Sequence, residues 1–361
     1  MQLVSVVLPV FNAEQTIARA VHSILDQTWS NLELIVVDDG STDGTAQKLT
    51  SIHDPRLKIL THKNPGVTNL HENHVQESNK GVAASANLAF QNSQAEYVAR
   101  MDADDISHPQ RIEKQMDWLR QHQMDVVGSQ VRILNASDQP LESMQRYQAW
   151  INAETVAPDS ISAMRFVELP LVNPTVFAKR RFFDLLYHDD DLPEDYDLFL
   201  RGHAAGMRFG KVPEVLLDWY QLAGGLTRTD SRYSTDAFDR CRKKHLLTGP
   251  LENQQTVDLW GAGQTGKPWL KWLLENGISV RYLIDVSPRK IGQEIHGCQV
   301  VSPEAIGPGT TNRDANHSDV NNSGSEIPLV IAVGREGARQ LILEFIEKAG
   351  YVPGKNAWFV A

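Results

Sequence analysis

Val4-Ser5-Val6-Val7-Leu8-Pro9-Val10 and Leu32-Glu33-Leu34-Ile35-Val36-Val37-Asp38 are two runs rich in β-branched side chains, and the stretch between them, Ala13 to Gln27, spaces its apolar residues as a helix does. Apolar runs of this length read as strands buried on both faces, so strand, helix and strand make a βαβ unit with a parallel sheet. Working outward, Ser41-Thr42-Asp43-Gly44 can cap a helix to about Ile52, and Leu57 to Thr61 is a third strand. Residues 61–81, with His62, His71 and His74, are polar and without period, and read as a loop. A helix from Ala83 to Gln91, a strand from Tyr97 to Met101, a helix from Pro109 to Gln121 and a strand from Val126 to Leu134 continue the alternation. Residues 140–170 show no clear pattern, and Pro193 precedes a helix from Asp195 to Ala205. The fold class is α/β and doubly wound.

Past Gly249-Pro250 a second unit starts: a strand from Val257 to Trp260, the turn Gly261-Ala262-Gly263-Gln264-Thr265-Gly266, a helix to Asn276, and a strand from Val280 to Asp285. Gly261, Gly263 and Gly266 with Asp285 at the next strand end match a dinucleotide fingerprint, which also occurs as a structural Rossmann-like module. The expected domains are therefore 1–248 and a smaller Rossmann-like 249–361. Residues 307–327 hold too few apolar side chains to bury and are expected to be a disordered insertion.

A chain of 361 residues, 41% hydrophobic and 22% charged, is long enough for two globular domains. Thirty-five Lys and Arg against 45 Asp and Glu leave a net charge of −10, which lacks the positive field of a general nucleic-acid binder. The N-terminus has no basic region, no stretch approaches the roughly 20 apolar residues of a membrane span, and Cys241 and Cys298 are far apart in sequence. The expectation is a cytoplasmic protein with no integral membrane segment and no disulfide framework.

Asp102-Ala103-Asp104 ends a strand, where ligands of open α/β sheets bind. One carboxylate there can contact a sugar hydroxyl while the other ligates a hard cation such as Mg²⁺ or Mn²⁺. Standing alone, the same residues would make an acidic turn with Asp105 as a helix cap. Asp38-Asp39-Gly40-Ser41 and Pro9-Val10-Phe11-Asn12 put further ligand-type residues at two more strand ends, and the three together point to a nucleotide site.

These motifs, with Gln27-Thr28, Thr42-Asp43 and Asp105, resemble the inverting family-two glycosyltransferases of GT-A fold over about residues 1–230. The resemblance implies a nucleotide-diphospho-sugar transferase fold and a UDP-sugar donor. It places Pro9, Phe11, Asn12 and Asp38 or Asp39 around uracil and ribose, Asp102 and Ala103 near ribose and sugar, and Asp104 on Mn²⁺ or Mg²⁺. Pro193-Glu194-Asp195 looks like the family's Glu-Asp step, which makes Asp195 the catalytic base. Inversion needs such a carboxylate to take the acceptor proton, and Glu194 stands as the alternative base or an acceptor ligand. The chain departs from the family pattern at Ala86-Asn87 and at Trp219-Tyr220-Gln221-Leu222, leaving Arg228 or Arg232 to hold the diphosphate. His188-Asp189-Asp190-Asp191 is either a further ligand source or a solvated loop.

The two-domain layout, with Arg146 to Asn152, Asn173-Pro174-Thr175-Val176 and the Gly261 turn, is similar to that of animal queuosine-tRNA galactosyltransferases. It implies UDP-galactose or a similar donor, and a glycan or a tRNA nucleoside as acceptor. Two other functions fit the residues: an NAD-dependent oxidoreductase acting on a sugar nucleotide through the Gly261 turn, or a non-catalytic nucleotide-sugar sensor. A homo-oligomer is compatible with any of them.

Overall fold

The computed structural model describes residues 1–63, 79–153, 158–188, 190–222, 224–306, 327–335 and 337–361. The expected loop at 61–81 and insertion at 307–327 fall largely outside the described residues, as do His71, His74 and Asp189. The chain forms two compact units, Met1–Ile161 with Leu169–Cys241, and Ser162–Glu168 with Arg242–Ala361. The second unit begins at 242, not 249, and takes in 162–168. Met164 is buried in that unit's core with Trp260, Leu329 and Phe359, which is the physical reason for the difference.

In the first unit the strands are β1 (Val4–Val10), β2 (Leu32–Asp38), β3 (Leu57–Thr61), β4 (Tyr97–Arg100), β5 (Ile106–Ser107), β6 (Val126–Leu134), β7 (Phe177–Lys179) and β8 (Phe209–Tyr220). They lie in the order β3-β2-β1-β4-β7-β6-β8-β5, with β1 parallel to both β2 and β4. Every residue of β1 and β2 is buried, as continuous apolar runs require. Pro9 sits within β1, although proline cannot donate to a ladder. The Val10 carbonyl accepts from Asp39 on the β2 side, so Pro9 turns its nitrogen toward β4, where pairing ends at Val7. Pairing of β1 with β4 stops at that point, which is where the strand order reverses and where open α/β sheets take ligands.

The first helix is Ile17–Leu25, shorter than the expected start at Ala13. The amides of Asn12, Ala13 and Glu14 donate to Ser41 Oγ, Thr45 Oγ1 and Asp43 Oδ2 at 2.9, 2.8 and 3.0 Å. Those residues serve the loop after β2 instead of a helical turn. The unreadable 140–170 region holds helices Gln145–Ala153 and Pro158–Met164. Trp150 packs partly buried against the first unit's core.

The second unit's strands are β9 (Thr256–Trp260), β10 (Ser279–Ile284), β11 (Glu294–Ile295), β12 (Cys298–Val301), β13 (Leu329–Ile331) and β14 (Ala357–Phe359). Strands β12-β10-β9-β13-β14 are neighbours in that order and parallel throughout, and β11 joins the edge antiparallel. No helix among the described residues is long and apolar enough to cross a membrane.

Candidate active site

Three strand ends of the first unit carry the residues singled out above. At the end of β1, Pro9 is buried, Phe11 is 45% exposed, and Asn12 adopts φ 49°. Asn12 Oδ1 accepts from the Thr42 amide at 2.7 Å, tying the β1 end to the loop after β2. Asn12 thus shapes the rim by binding the protein's own backbone. Asp38 Oδ1 accepts from the Ser41 amide three residues on at 2.9 Å, holding the turn after β2. Both Asp39 oxygens accept at 2.8 Å from the amides of Lys80 and Gly81, the latter the residue preceding helix Val82–Asn92. His62 Nε2 lies 3.3 Å from Asp39 Oδ1. Burial raises the Asp39 carboxyl above its ordinary range in spite of these donors. With Asp39 committed to a helix start, Asp38 keeps more acceptor capacity for a ligand.

Beyond β4 the chain turns through Asp102-Ala103-Asp104-Asp105. Arg100, on β4 and 1% exposed, puts Nη2 2.7 Å from Asp102 Oδ1. Arg111, fully buried, donates to the Arg100 carbonyl at 2.9 Å and the Pro174 carbonyl at 2.7 Å. Ala103 is partly buried against the core. Burial, and then the Asp102 charge, push the Asp104 carboxyl up to about 6. Asp105 Oδ1 accepts from the Tyr220 amide at 2.9 Å, and its buried Oδ2 has no hydrogen-bond partner. Burial, then the Asp104 and Asp102 charges, hold Asp105 well above the carboxylate range. Three crowded carboxylates, one with an orphaned buried oxygen, are a donor set that suits a hard divalent cation.

Glu194 and Asp195 open helix Glu194–Ala204, whose first turn is acidic as the helix dipole favours. Glu194 is buried, and the Tyr233 hydroxyl lies 2.6 and 2.8 Å from its two oxygens. Asp195 Oδ1 accepts from the Tyr196 amide at 2.7 Å. Burial and then the Glu194 charge push Asp195 up to about 8, and Asp102 adds to the same field. Asp102 and the Glu194-Asp195 step are thus brought together electrostatically. Tyr187 shares this field: its hydroxyl donates to Asn173 Oδ1 at 3.0 Å, and Arg100, Glu194, Asp195 and Asp102 all act on it.

Asn87, flagged beside Ala86, uses its side-chain amide to clamp the Tyr187 backbone through two 2.8 Å bonds. Arg232 pairs with Asp230 at 2.7 Å. His188 lies 3.1 Å from the buried Asp197. Arg100, Arg111, Tyr187 and Tyr233 escape sequence reading; only a charge inside the apolar strand Tyr97–Arg100 could have pointed to the first of them.

In the second unit, Gly261 has φ 131°, and a Cβ there would come within 2.5 Å of the Ala332 carbonyl. A Cβ on Gly266 would meet the Gly261 carbonyl at 1.8 Å, so both glycines are demanded by local packing. Among the described residues, a Cβ on Gly263 would meet only Lys290 Nζ, at 3.7 Å. Asp285 accepts from the Ala262 amide at 3.1 Å, the Ser287 amide at 2.9 Å and Lys290 Nζ at 2.8 Å. That fills most of its acceptor capacity, so the residues present do not fit the ribose diol of NAD.

The family model for glycosyl transferase family 2 matches residues 5–184. The "Putative glycosyltransferase EpsE" of Bacillus subtilis (strain 168) is 36% identical over 257 residues, covering 67% of this chain and 83% of that protein. The Escherichia coli UDP-Glc:alpha-D-GlcNAc-diphosphoundecaprenol beta-1,3-glucosyltransferase WfgD is 32% identical over 133 residues, 37% of this chain and 47% of that one. The crystal structure of S. aureus TarS 1–349 in complex with UDP-GlcNAc superposes with a TM-score of 0.50 at 17% identity, covering 70% of this chain and 68% of that chain. The first unit accordingly has a GT-A-like α/β fold, and the chain belongs to glycosyl transferase family 2 and is a glycosyltransferase.

Proposed function

We propose that the chain moves a sugar from a UDP-sugar to an acceptor hydroxyl by a single, inverting displacement that needs a divalent cation. The observation that carries this reading is the placement of two carboxylates in one unit, Asp102 fixed by Arg100 beyond β4 and Asp195 in the first turn of helix Glu194–Ala204, in a chain of glycosyl transferase family 2. Relatives support the donor class: WfgD is named for UDP-Glc, and TarS is bound to UDP-GlcNAc.

In this mechanism Asp38 and the β1 end hold uracil and ribose, and Asp102, fixed by Arg100, faces the ribose and sugar. Asp195 takes the proton of the acceptor hydroxyl while that oxygen bonds to the anomeric carbon and the carbon–oxygen bond to UDP breaks on the opposite face. Asp104, with Asp102 beside it, would hold Mn²⁺ or Mg²⁺, which when bound neutralises the charge left on UDP. The second unit, with its parallel order β12-β10-β9-β13-β14, serves as a Rossmann-like structural module.

A thermal-shift panel of Mn²⁺ with UDP, UDP-galactose, UDP-glucose, UDP-N-acetylglucosamine and GDP-mannose tests the donor. A metal-dependent rise with one UDP-sugar is expected, of about 2.7 kcal/mol at 100 times the dissociation constant. No response to any UDP-sugar sinks the reading. Glycans and queuosine-containing tRNA are the acceptor arms of the turnover assay that follows. Binding without transfer or hydrolysis would favour a sensor.

A further inference from the structure

The transfer reaction uses Asp195 and leaves Glu194, its buried neighbour, without a part. Glu194 is 3% exposed, yet both its oxygens lie within hydrogen-bond reach of one phenol, that of Tyr233. Tyr233 closes the single 3-10 turn Ser231–Tyr233, which Asp230 pins by accepting from the Arg232 amide at 2.9 Å and pairing with its guanidinium. The phenol is therefore delivered by a fixed turn, not a free side chain.

A phenol donates one proton, and a carboxylate that receives it is favoured in its ionised form. Two carboxyls on consecutive residues in a dry site cannot ionise independently: the one with the stronger set of donors and cations ionises first, and the other must then ionise against its charge. Burial raises the Glu194 carboxyl above its ordinary range, and the Tyr233 hydroxyl and Arg232 from the turn and Arg100 from β4 act against that rise. Asp195, raised first by burial, is faced by Glu194, accepts from the Tyr196 amide, and is faced more weakly by Asp102. Tyr187 adjoins both, and the rest of the small pocket that Asp195 lines is neutral, with Leu169, Leu171, Asn173 and Phe182.

We propose that Tyr233 is a positioning residue that sets the strength of the Asp195 base, by holding Glu194 ionised one residue away. Proton uptake by Asp195 is then paid with relief of that repulsion. The inference rests on Asp195 being the base.

Its test is a carboxyl ¹³C NMR titration of the full chain labelled at Asp and Glu, in wild type, Tyr233→Phe, Glu194→Gln and the double variant. In Tyr233→Phe the Glu194 midpoint should rise and the Asp195 midpoint fall, each by about one pH unit. Glu194→Gln should also lower Asp195, and Tyr233→Phe should add nothing on that background, since the tyrosine acts through the glutamate. An Asp195 midpoint unmoved in Tyr233→Phe overturns the proposal, as does an equal fall in the Glu194→Gln background. A purely structural tyrosine would lower the unfolding temperature and leave both titrations in place, which likewise overturns it. The titration needs no turnover, whereas the base assignment falls on retained transfer by Asp195→Asn, so the two ideas fail on different readouts.

Discussion

The Asp195 carboxyl is held at about 8 mainly by burial, and two consequences follow from that environment. A base acts in its ionised form, so transfer should decline as pH falls below about 8, with a single-proton slope. A pH–rate profile of kcat checks this, and an acid limb near the ordinary Asp range would contradict it. Asp195→Asn should lose roughly 10²–10⁴ in kcat while keeping its affinity for UDP, measured by calorimetry. The same substitution bears on stability. A carboxyl whose folded pKa is raised favours folding fully below its unfolded value near 3.8, and that advantage is lost as pH rises toward 8. Asparagine carries no such penalty. Asp195→Asn should therefore gain about 2 kcal/mol or more relative to wild type between pH 4 and pH 9 in urea unfolding, and a pH-independent difference would refute the burial argument. At this scale the candidates Asp38, Asp102, Asp104 and Asp195 stand out in the sequence because Asp38 ends β2, Asp102 and Asp104 lie in the turn after β4, and Asp195 lies in the first turn of a helix. Tyr233 is not, because it lies 39 positions from Glu194 and only folding brings them together.

The element that shapes the nucleotide rim is the pair of strand ends β1 and β2, stitched by side chains that bind backbone amides. Asn12 does this from a left-handed backbone, φ 49°, which asparagine tolerates better than alanine. Asn12→Ala loses the bond to Thr42 and adds backbone strain, and Asn12→Gly loses only the bond. Alanine should therefore be the more destabilising, by about 1 kcal/mol, in equilibrium unfolding. Equal losses would mean that the amide bond alone matters. In the second unit, Gly266→Ala forces a methyl onto the Gly261 carbonyl, and backbone cannot yield as a side chain can. A loss of about 3 kcal/mol is expected in the same measurement. The reading of these elements from sequence erred where side chains compete for amides. Ala13 and Glu14 keep helical spacing, yet Thr45 and Asp43 beyond β2 take their N–H groups, and periodicity does not register such competition.

For the whole molecule, donor and cation should stabilise the fold together. Mn²⁺ with a matched UDP-sugar should raise the unfolding temperature more than the sum of each alone, and EDTA should remove the difference. Asp104→Ala should abolish the synergy while its unfolding without ligand stays close to wild type or rises, since it removes a crowded carboxyl held at about 6. Undiminished synergy in that variant would remove Asp104 from the cation. The parallel β3-β2-β1-β4 part of the first unit's sheet and the strand–glycine–helix–strand start of the second were determined by the sequence itself, whereas the antiparallel pairing of β7 with β4 and β6 was not. Apolar runs, helical periods and turn residues are local properties, and a buried parallel sheet satisfies all of them at once. The tertiary structure alone decided that residues 162–168 join the second unit, that Asp39 holds a helix start, and that Lys290 occupies Asp285. It also decided that Tyr233 and Arg100 gather around Glu194 and Asp102. Those outcomes depend on burial and on partners distant in the chain, and neither is encoded at any single position.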